Sequence, residues 1–362
     1  MSDPAATPHH AIPSITSGWS QLTHLLRKTP PRLNLALQGG GAHGAFTWGV
    51  LDALLRQPEL TFEGLSGSSA GAMNAVVFAD GWMKGGREGA GQALAGFWSD
   101  VGRQMPWVPM TRGEGDAVDL SPTTKMMAQW AGYFSPAQLN PFELNPLRDM
   151  LLRQIDFEGL RSRSPFKLFV GTTHASTGKL RVFREAELTV DVLLASACLP
   201  KIHHAVEIEG ESYWDGGYCA NPAVFPLFYD CESRDVMLVL LSPLRREGTP
   251  HTVQEIDTRI AELGFSTHFM REMRMFAHAR TFAGRPVIRW GRLERRLHNM
   301  RFHMVDSSGL VNLERSDTKL LAHGPFLELL REQGRARGHD WLVQHAAAIG
   351  QHATLDVQAC FN

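Results

Sequence analysis

Gly64-Leu65-Ser66-Gly67-Ser68-Ser69-Ala70-Gly71-Ala72-Met73-Asn74-Ala75 packs a strand end, a sharp turn and a helix start into one short stretch. Its residues 67–71 fit G-x-S-x-G with Ser69 at the centre. A serine held on a tight strand-to-helix turn projects its hydroxyl out of the fold, and flanking glycines remove the Cβ atoms that would clash there. The expected helix, AGAMNAVVFADGW from Ala70, opens just beyond the serine. Its unpaired N–H groups and positive dipole end then face any negative charge that develops at the hydroxyl. Glycine-serine turns also occur in linkers and phosphate loops, so the pattern by itself leaves both readings open.

Upstream, the apolar run RLNLAL (32–37) has the length and composition of a buried strand. It ends in QGGGAHG (38–44), and a helical pattern follows with Phe46, Val50, Ala53 and Leu54 on one face. LTFEGLSG (60–67) then reads as a second strand leading into the serine turn. Strand, glycine turn, helix, repeated twice, is the rhythm of an α/β fold with a parallel sheet covered by helices. Both glycine turns fall at the carboxyl ends of the strands, where open α/β sheets place their ligands.

Gly39-Gly40-Gly41-Ala42-His43-Gly44 also satisfies G-x-G-x-x-G, with Glu63 at the distance where a dinucleotide site places its ribose-binding acid. A nicotinamide site has no need of a serine turn on the next strand. The other reading makes Gly39 to Gly41 a nest of backbone donors suited to a carbonyl oxygen becoming an oxyanion. Such donors contribute about 3 to 4 kcal/mol each to acyl transfer. A serine nucleophile requires such a nest, so the two glycine turns explain each other.

Beyond the serine helix the character changes. Residues 103–146 hold six prolines together with Trp107, Trp130, Tyr133, Phe134 and Phe142, which predicts a loop-rich flap over something apolar, either a surface excursion stapled to the core by its aromatics or a substrate lid. Helix is expected at PLRDMLLRQI, strands at KLFVGTT and KLRVFRE, and a helix at TVDVLLASACLP ended by Pro200. AVEIEGESYWDGG predicts a hairpin turning at Glu209-Gly210, and DVMLVLL another buried strand. Past Pro250 a long helix is expected to bury Ile256, Ile260 and Leu263 in one half and Phe269, Met273 and Phe276 in the other. The expected organisation is a flexible lead-in over 1–30, with a short helix at WSQLTHLLRK, one domain over 31–245, and a mainly helical extension over 246–362.

The composition, 43% hydrophobic and 20% charged, fits a globular chain with a substantial core. A net charge of −1 gives no global attraction to nucleic acid or anionic membrane. Cys198, Cys219, Cys231 and Cys360 show no CxxC spacing, which fits reduced, mostly buried thiols. No metal and no cofactor is expected. The start of the chain carries no apolar core of signal-peptide length and no segment reaches a membrane span, so cytoplasmic residence is the default expectation.

A nucleophilic serine needs a base. His174, His203, His204 and several C-terminal histidines are available for a serine-acid-histidine triad. None has a distinctive setting late in the chain. Asp215 does, in Trp214-Asp215-Gly216-Gly217, where a glycine turn after a strand lets the carboxylate approach a neighbouring backbone closely.

The three motifs GGGAHG, GSSAG and DGG, in this order, resemble those of the patatin-like phospholipases, and the likeness extends through ASACLPKIHHAVEIEGESYWDGGYCANPAVFPL. It covers about residues 33–242. The resemblance implies a three-layer α/β/α fold with a mostly parallel sheet, and a Ser-Asp dyad that needs no histidine. It makes Ser69 the nucleophile, Asp215 the base, and Gly40 and Gly41 the oxyanion donors, with Gly39 shaping the loop and Ala70 N–H adding a donor. Gly44, Gly67, Gly71, Gly216 and Gly217 complete the motifs. Two positions depart from the family pattern: His43 replaces a frequent Arg or Lys, and Gln38 a frequent acid. His203 and His204 stand where an apolar pair is expected, either packing or assisting water.

The substrate class implied is a lipid or phospholipid ester, cleaved as by a phospholipase A or lysophospholipase. An ester of another kind, such as a storage polyester, or a lipid-binding or regulatory role, are the alternatives. The stretch 271–301 carries nine arginines among Met, Phe and Trp. It reads either as a salt-bridged exterior or as a peripheral contact with anionic lipid.

Overall fold

The computed structural model describes residues 31–103, 111–112, 119–121, 145–246, 248–283, 291–315 and 317–362. The lead-in with its short helix, most of the 103–146 flap, and Arg285 and Arg289 lie outside the described residues. In chain order the elements are β1 (Arg32–Leu37), α1 (Gly44–Leu55), β2 (Thr61–Gly67), α2 (Ala70–Arg103), α3 (Pro146–Gln154), α4 (Phe157–Arg163), β3 (Lys167–His174), β4 (Leu180–Arg184), α5 (Val190–Ser196), β5 (Val206–Ile208) and β6 (Glu211–Asp215). There follow α6 (Phe225–Asp230), β7 (Asp235–Leu240), α7 (Val253–Ala283), α8 (Arg292–Asn299), β8 (Arg301–Asp306), α9 (Val311–Glu314), α10 (Gly324–His345) and α11 (Val357–Phe361).

Eight strands form one sheet in the order β8-β7-β1-β2-β3-β6-β5, with β4 paired to β3. The run from β8 to β3 is parallel, and β4, β6 and β5 are antiparallel additions. The parallel strands are apolar on both faces because helices cover both. In β7 and the residue after it, Met237, Val239 and Leu241 join the core under α1 and α2, while Val236, Leu238 and Leu240 join the core under α6 and α7. This is the expected three-layer α/β/α arrangement. The hairpin between β5 and β6 turns where expected, with Glu209 and Gly210 both at positive φ, 56° and 81°. That pair of left-handed residues matches the right-handed twist of the strands it joins.

The stretch after 245 is mainly helical and also supplies β8, which pairs with β7 and forms an edge of the main sheet. Helix α10 packs along α1 so closely that a Cβ on Gly334 would lie 2.0 Å from the Phe46 carbonyl oxygen. The C-terminal residues are therefore part of the core domain rather than an appendage. Within α7, Phe269 and Met273 are buried as expected, but Ile256, Ile260 and Leu263 are 40%, 61% and 42% exposed. Their spacing is helical, yet no layer of the described protein covers that face. No helix among the described residues is long and apolar enough to cross a membrane.

The contact between α1 and α10 tests this packing. A Cβ at Gly49 would stand 1.9 Å from the Arg331 carbonyl oxygen, whereas nothing lies within 4 Å of one at Gly96. Gly49→Ala is expected to cost about 2 to 3 kcal/mol of unfolding free energy. Gly96→Ala, inside an exposed helical turn, should gain roughly 0.5 to 1 kcal/mol. Urea unfolding of the two variants measures both.

Candidate active site

The sheet order explains how residues far apart in sequence meet. β1 and β2 are neighbours, so the loops leaving their carboxyl ends, 38–43 and 68–69, lie side by side. β6 runs antiparallel to β3 and ends with Asp215 opposite Thr172, bringing the aspartate to the same edge. Ser69 sits on the turn with φ 54°, a left-handed conformation that a non-glycine residue rarely takes. The turn is held by hydrogen bonds rather than by the serine's own preference. Ser69 N–H donates to both the carbonyl and the hydroxyl oxygen of Ser196, each at 3.0 Å, and the Ser196 hydroxyl donates to Gly171 O at 2.7 Å. The Ser68 hydroxyl donates to Ala220 O at 2.6 Å and fastens the turn to the chain beyond Asp215.

The motif glycines are places where backbones touch. A Cβ at Gly67 would lie 2.4 Å from the carbonyl carbon of Gly71, and one at Gly71 2.1 Å from Leu37 O, so the turn folds directly over the end of β1. The same constraint holds at Gly44 against Ala70 Cβ (2.7 Å), Gly216 against Gly171 O (2.1 Å) and Gly217 against the Phe265 ring (2.5 Å).

Asp215 is 1% exposed. Its Oδ1 accepts from Gly217 N–H at 2.7 Å, and its backbone is held by Thr173 and Cys198. Burial raises its pKa to about 7, against the opposing pull of Gly217 N–H and of the neighbouring Ser69 hydroxyl. A group that ionises there is matched to proton transfer at neutral pH, which an exposed aspartate at about 3.9 is not. No histidine among the described residues hydrogen-bonds Ser69 or Asp215.

In the glycine loop, Gly40 and Gly41 N–H have no acceptor among the described residues, nor has Ala70 N–H at the start of α2. The third N–H of the loop is already used. Gly39 N–H is committed to Asn221 Oδ1 at 2.7 Å, and Asn221 Nδ2 returns a hydrogen bond to Gly39 O at 3.2 Å. Gln38 continues the anchor, accepting from Leu241 N–H at 2.6 Å and Ser242 N–H at 3.0 Å. Gly39 therefore shapes the loop and does not donate into it. Asn221, Ser196 and the role of Gln38 escaped the sequence reading, since each acts through partners distant along the chain.

His43 faces away from the loop mouth, fully buried, with Nε2 2.8 Å from Thr318 Oγ1. That hydroxyl also lies 2.9 Å from Asn312 O and 2.8 Å from Arg315 O, and its single proton goes to one of them. It must then accept from His43, which fixes a neutral imidazole protonated at Nε2. Burial, reinforced by Lys319, lowers the His43 pKa to about 3, so this histidine keeps one charge state across the neutral range. His203 lies on the rim of the cavity, its pKa lowered by burial, with Nδ1 accepting from Leu199 N–H at 3.3 Å. His204 is set apart from the cavity, its Nε2 buried and without a partner. Glu63 carries no ligand role: its carboxylate accepts from Glu232 and Ser233 N–H at 2.7 Å and pairs with Lys167, near the amino end of β2.

Ser69, Asp215 and the glycine loop open into a cavity of about 520 Å³. Met73, Phe97, Trp98 and Val101 of α2 with Leu147 of α3 form an apolar wall, while Phe265 and Glu262 of α7 and Lys319 supply another. Such a space takes an apolar chain beside a reacting polar group.

The raised pKa of Asp215 has a consequence for stability. Its carboxyl holds its proton more tightly folded than unfolded, so the cost to folding is absent below about pH 4, grows between about 4 and 7, and is fully present above 7. Asp215→Asn removes that cost while keeping an acceptor for Gly217. Its melting temperature relative to the wild type is expected to be higher at pH 8 than at pH 4.5. A difference independent of pH would contradict the shift.

A family model described as patatin-like phospholipase matches residues 35–228, more than half of the chain. No curated protein is matched. Among solved structures the chain is similar to VipD from Legionella pneumophila, at 16% identity and a TM-score of 0.40, over 88% of this chain and 67% of that one. The matched family region holds both glycine turns, Ser69 and Asp215, and the chain belongs to the patatin-like phospholipase family.

Proposed function

We propose that the protein is a serine lipid acyl hydrolase, of phospholipase A or lysophospholipase type, working through a Ser69-Asp215 dyad. The observation that carries this reading is the placement of the Ser69 hydroxyl beside a buried carboxylate whose pKa burial raises to about 7, at a largely apolar cavity. Asp215 takes the Ser69 proton as Oγ attacks the ester carbonyl carbon, and the oxyanion settles on Gly40, Gly41 and Ala70 N–H. The tetrahedral centre collapses, the bond to the alcohol breaks, and protonated Asp215 gives that proton to the leaving oxygen. Water then attacks the acyl-Ser69 ester, losing its proton to Asp215, which returns it to Ser69 as the fatty acid departs.

Contact with a lipid surface belongs to the same reading. Ile256, Ile260 and Leu263 are exposed on the stretch of α7 whose Ala261, Glu262 and Phe265 line the cavity, and Leu320 is exposed beside them. The arginine-rich stretch supports it less. Arg296 is spent on the carbonyls of Leu227, Phe228, Cys231, Glu232 and Ser233, and Arg301 on Asp235.

Mass spectrometry of products from mixed lipid vesicles tests the proposal. Wild-type protein is expected to release free fatty acid and the matching lyso-lipid or alcohol. Ser69→Ala and Asp215→Asn should each lower the rate by about 10³-fold or more, as loss of a nucleophile or its base does. His203→Ala and His204→Ala should keep most of it. Undiminished release by Ser69→Ala would sink the reading.

A further inference from the structure

One cation in the lining of the cavity, Lys319, has no ion pair among the described residues. Lys319 lies outside the family-matched region, in the short turn Asp317–Leu320, and lines the cavity with Ser69 and the glycine loop. Its backbone presses on that loop: Gly41, at φ 59°, has the Lys319 carbonyl oxygen where a Cβ would be, at 2.3 Å. The hydrogen bond between Thr318 and His43 locks the same turn to the base of the loop. Lys319 therefore stands within a side chain's length of the donors that would hold an oxyanion.

Its ammonium makes no hydrogen bond and no ion pair among the described residues. The nearest acid, Glu262, is already divided between two arginines, with Oε1 2.5 Å from Arg246 Nη2 and Oε2 3.2 Å from Arg259 Nη1. Arg246, Arg259 and Lys319 thus gather around Glu262 at this wall, beside the apolar side chains of the cavity. Burial lowers the Lys319 pKa and Arg246 lowers it further, with Glu262 opposing them. An ammonium partly withdrawn from water without a carboxylate of its own is costly, and an anionic group arriving with the ligand would offset that cost and gain a charge-assisted contact.

We propose that Lys319 is a specificity-determining residue that recognises a phosphate or comparable anionic group on the amphiphile in this cavity, favouring anionic over uncharged lipid esters. The proposal rests on the hydrolase reading above and deepens it by naming the substrate class. The chain's own C-terminal turn, rather than the motif-bearing region, then sets what head group is accepted.

Calorimetric titration separates this proposal from its parent. The Ser69→Ala protein is titrated with monomeric n-decyl phosphate, with n-decyl maltoside as the uncharged counterpart, and with inorganic phosphate alone. The same is done with Lys319→Met and Lys319→Arg added. The preference for decyl phosphate over decyl maltoside is expected to fall at least about tenfold with Lys319→Met, the weight of one charge-assisted hydrogen bond. Lys319→Arg should retain most of it, and a ratio of the two affinities is insensitive to general damage. An unchanged preference in Lys319→Met, an equal loss in Lys319→Arg, or no binding of either amphiphile would overturn the assignment. Binding of inorganic phosphate as tight as that of decyl phosphate, with the same dependence on Lys319, would instead mark a free-phosphate site and overturn the lipid assignment. Absence of ester turnover by wild-type protein sinks the parent reading, whatever these ratios are.

Discussion

A carboxylate buried beside a serine hydroxyl is an unfavourable thing to build, and much of the local structure follows from keeping it in place. Burial drives the Asp215 pKa to about 7, while only two groups, Gly217 N–H and the Ser69 hydroxyl, stabilise its charge. Ser69 holds φ 54° because Ser196 captures its N–H and Gly67 and Gly71 let the turn close on β1. Local strain of this sort persists only where surrounding contacts over-determine it. Here those contacts come from β3, α5 and the segment after Asp215.

The glycine loop shows the same economy. Of its three N–H groups one is spent on structure, since Asn221 holds Gly39 by both ends of its amide. Gln38 ties the start of the loop to residues 241 and 242. That leaves Gly40 and Gly41 fixed in direction before any ligand arrives, the condition for donors to stabilise a developing charge without reorganising. From beyond the family region, the 317–320 turn backs the loop through Gly41 and His43, and α7 closes the cavity. The later residues of the chain thus complete the site as well as the sheet.

What could be read from sequence was local. The apolar runs at 32–37, 61–67 and 235–240, the glycine turns after two of them, and the Glu209-Gly210 hairpin each carry their geometry in adjacent residues. So did the positions of Ser69 and Asp215, because each turn announces itself. The rest was not legible because its physics is long-range. Nothing near Asn221 says that it reaches Gly39 across the sheet, and nothing near Lys319 says that it meets the glycine loop. Helical spacing foretold an apolar face on the first half of α7 without saying whether anything covers it; Ile260 is exposed beside the cavity mouth. His43, in the glycine motif, stands where Arg or Lys is frequent, and burial against Thr318 and Lys319 keeps it neutral.

The central claim is that Asp215 alone activates Ser69. Its most direct test is the pH dependence of the rate at which a fluorophosphonate labels Ser69, since that step needs the base but no lipid recognition. The account predicts that labelling accelerates with rising pH through a single ionisation near 7, kept in His203→Ala and lost together with most of the rate in Asp215→Asn. An ionisation that survives Asp215→Asn and disappears with a histidine substitution would contradict it.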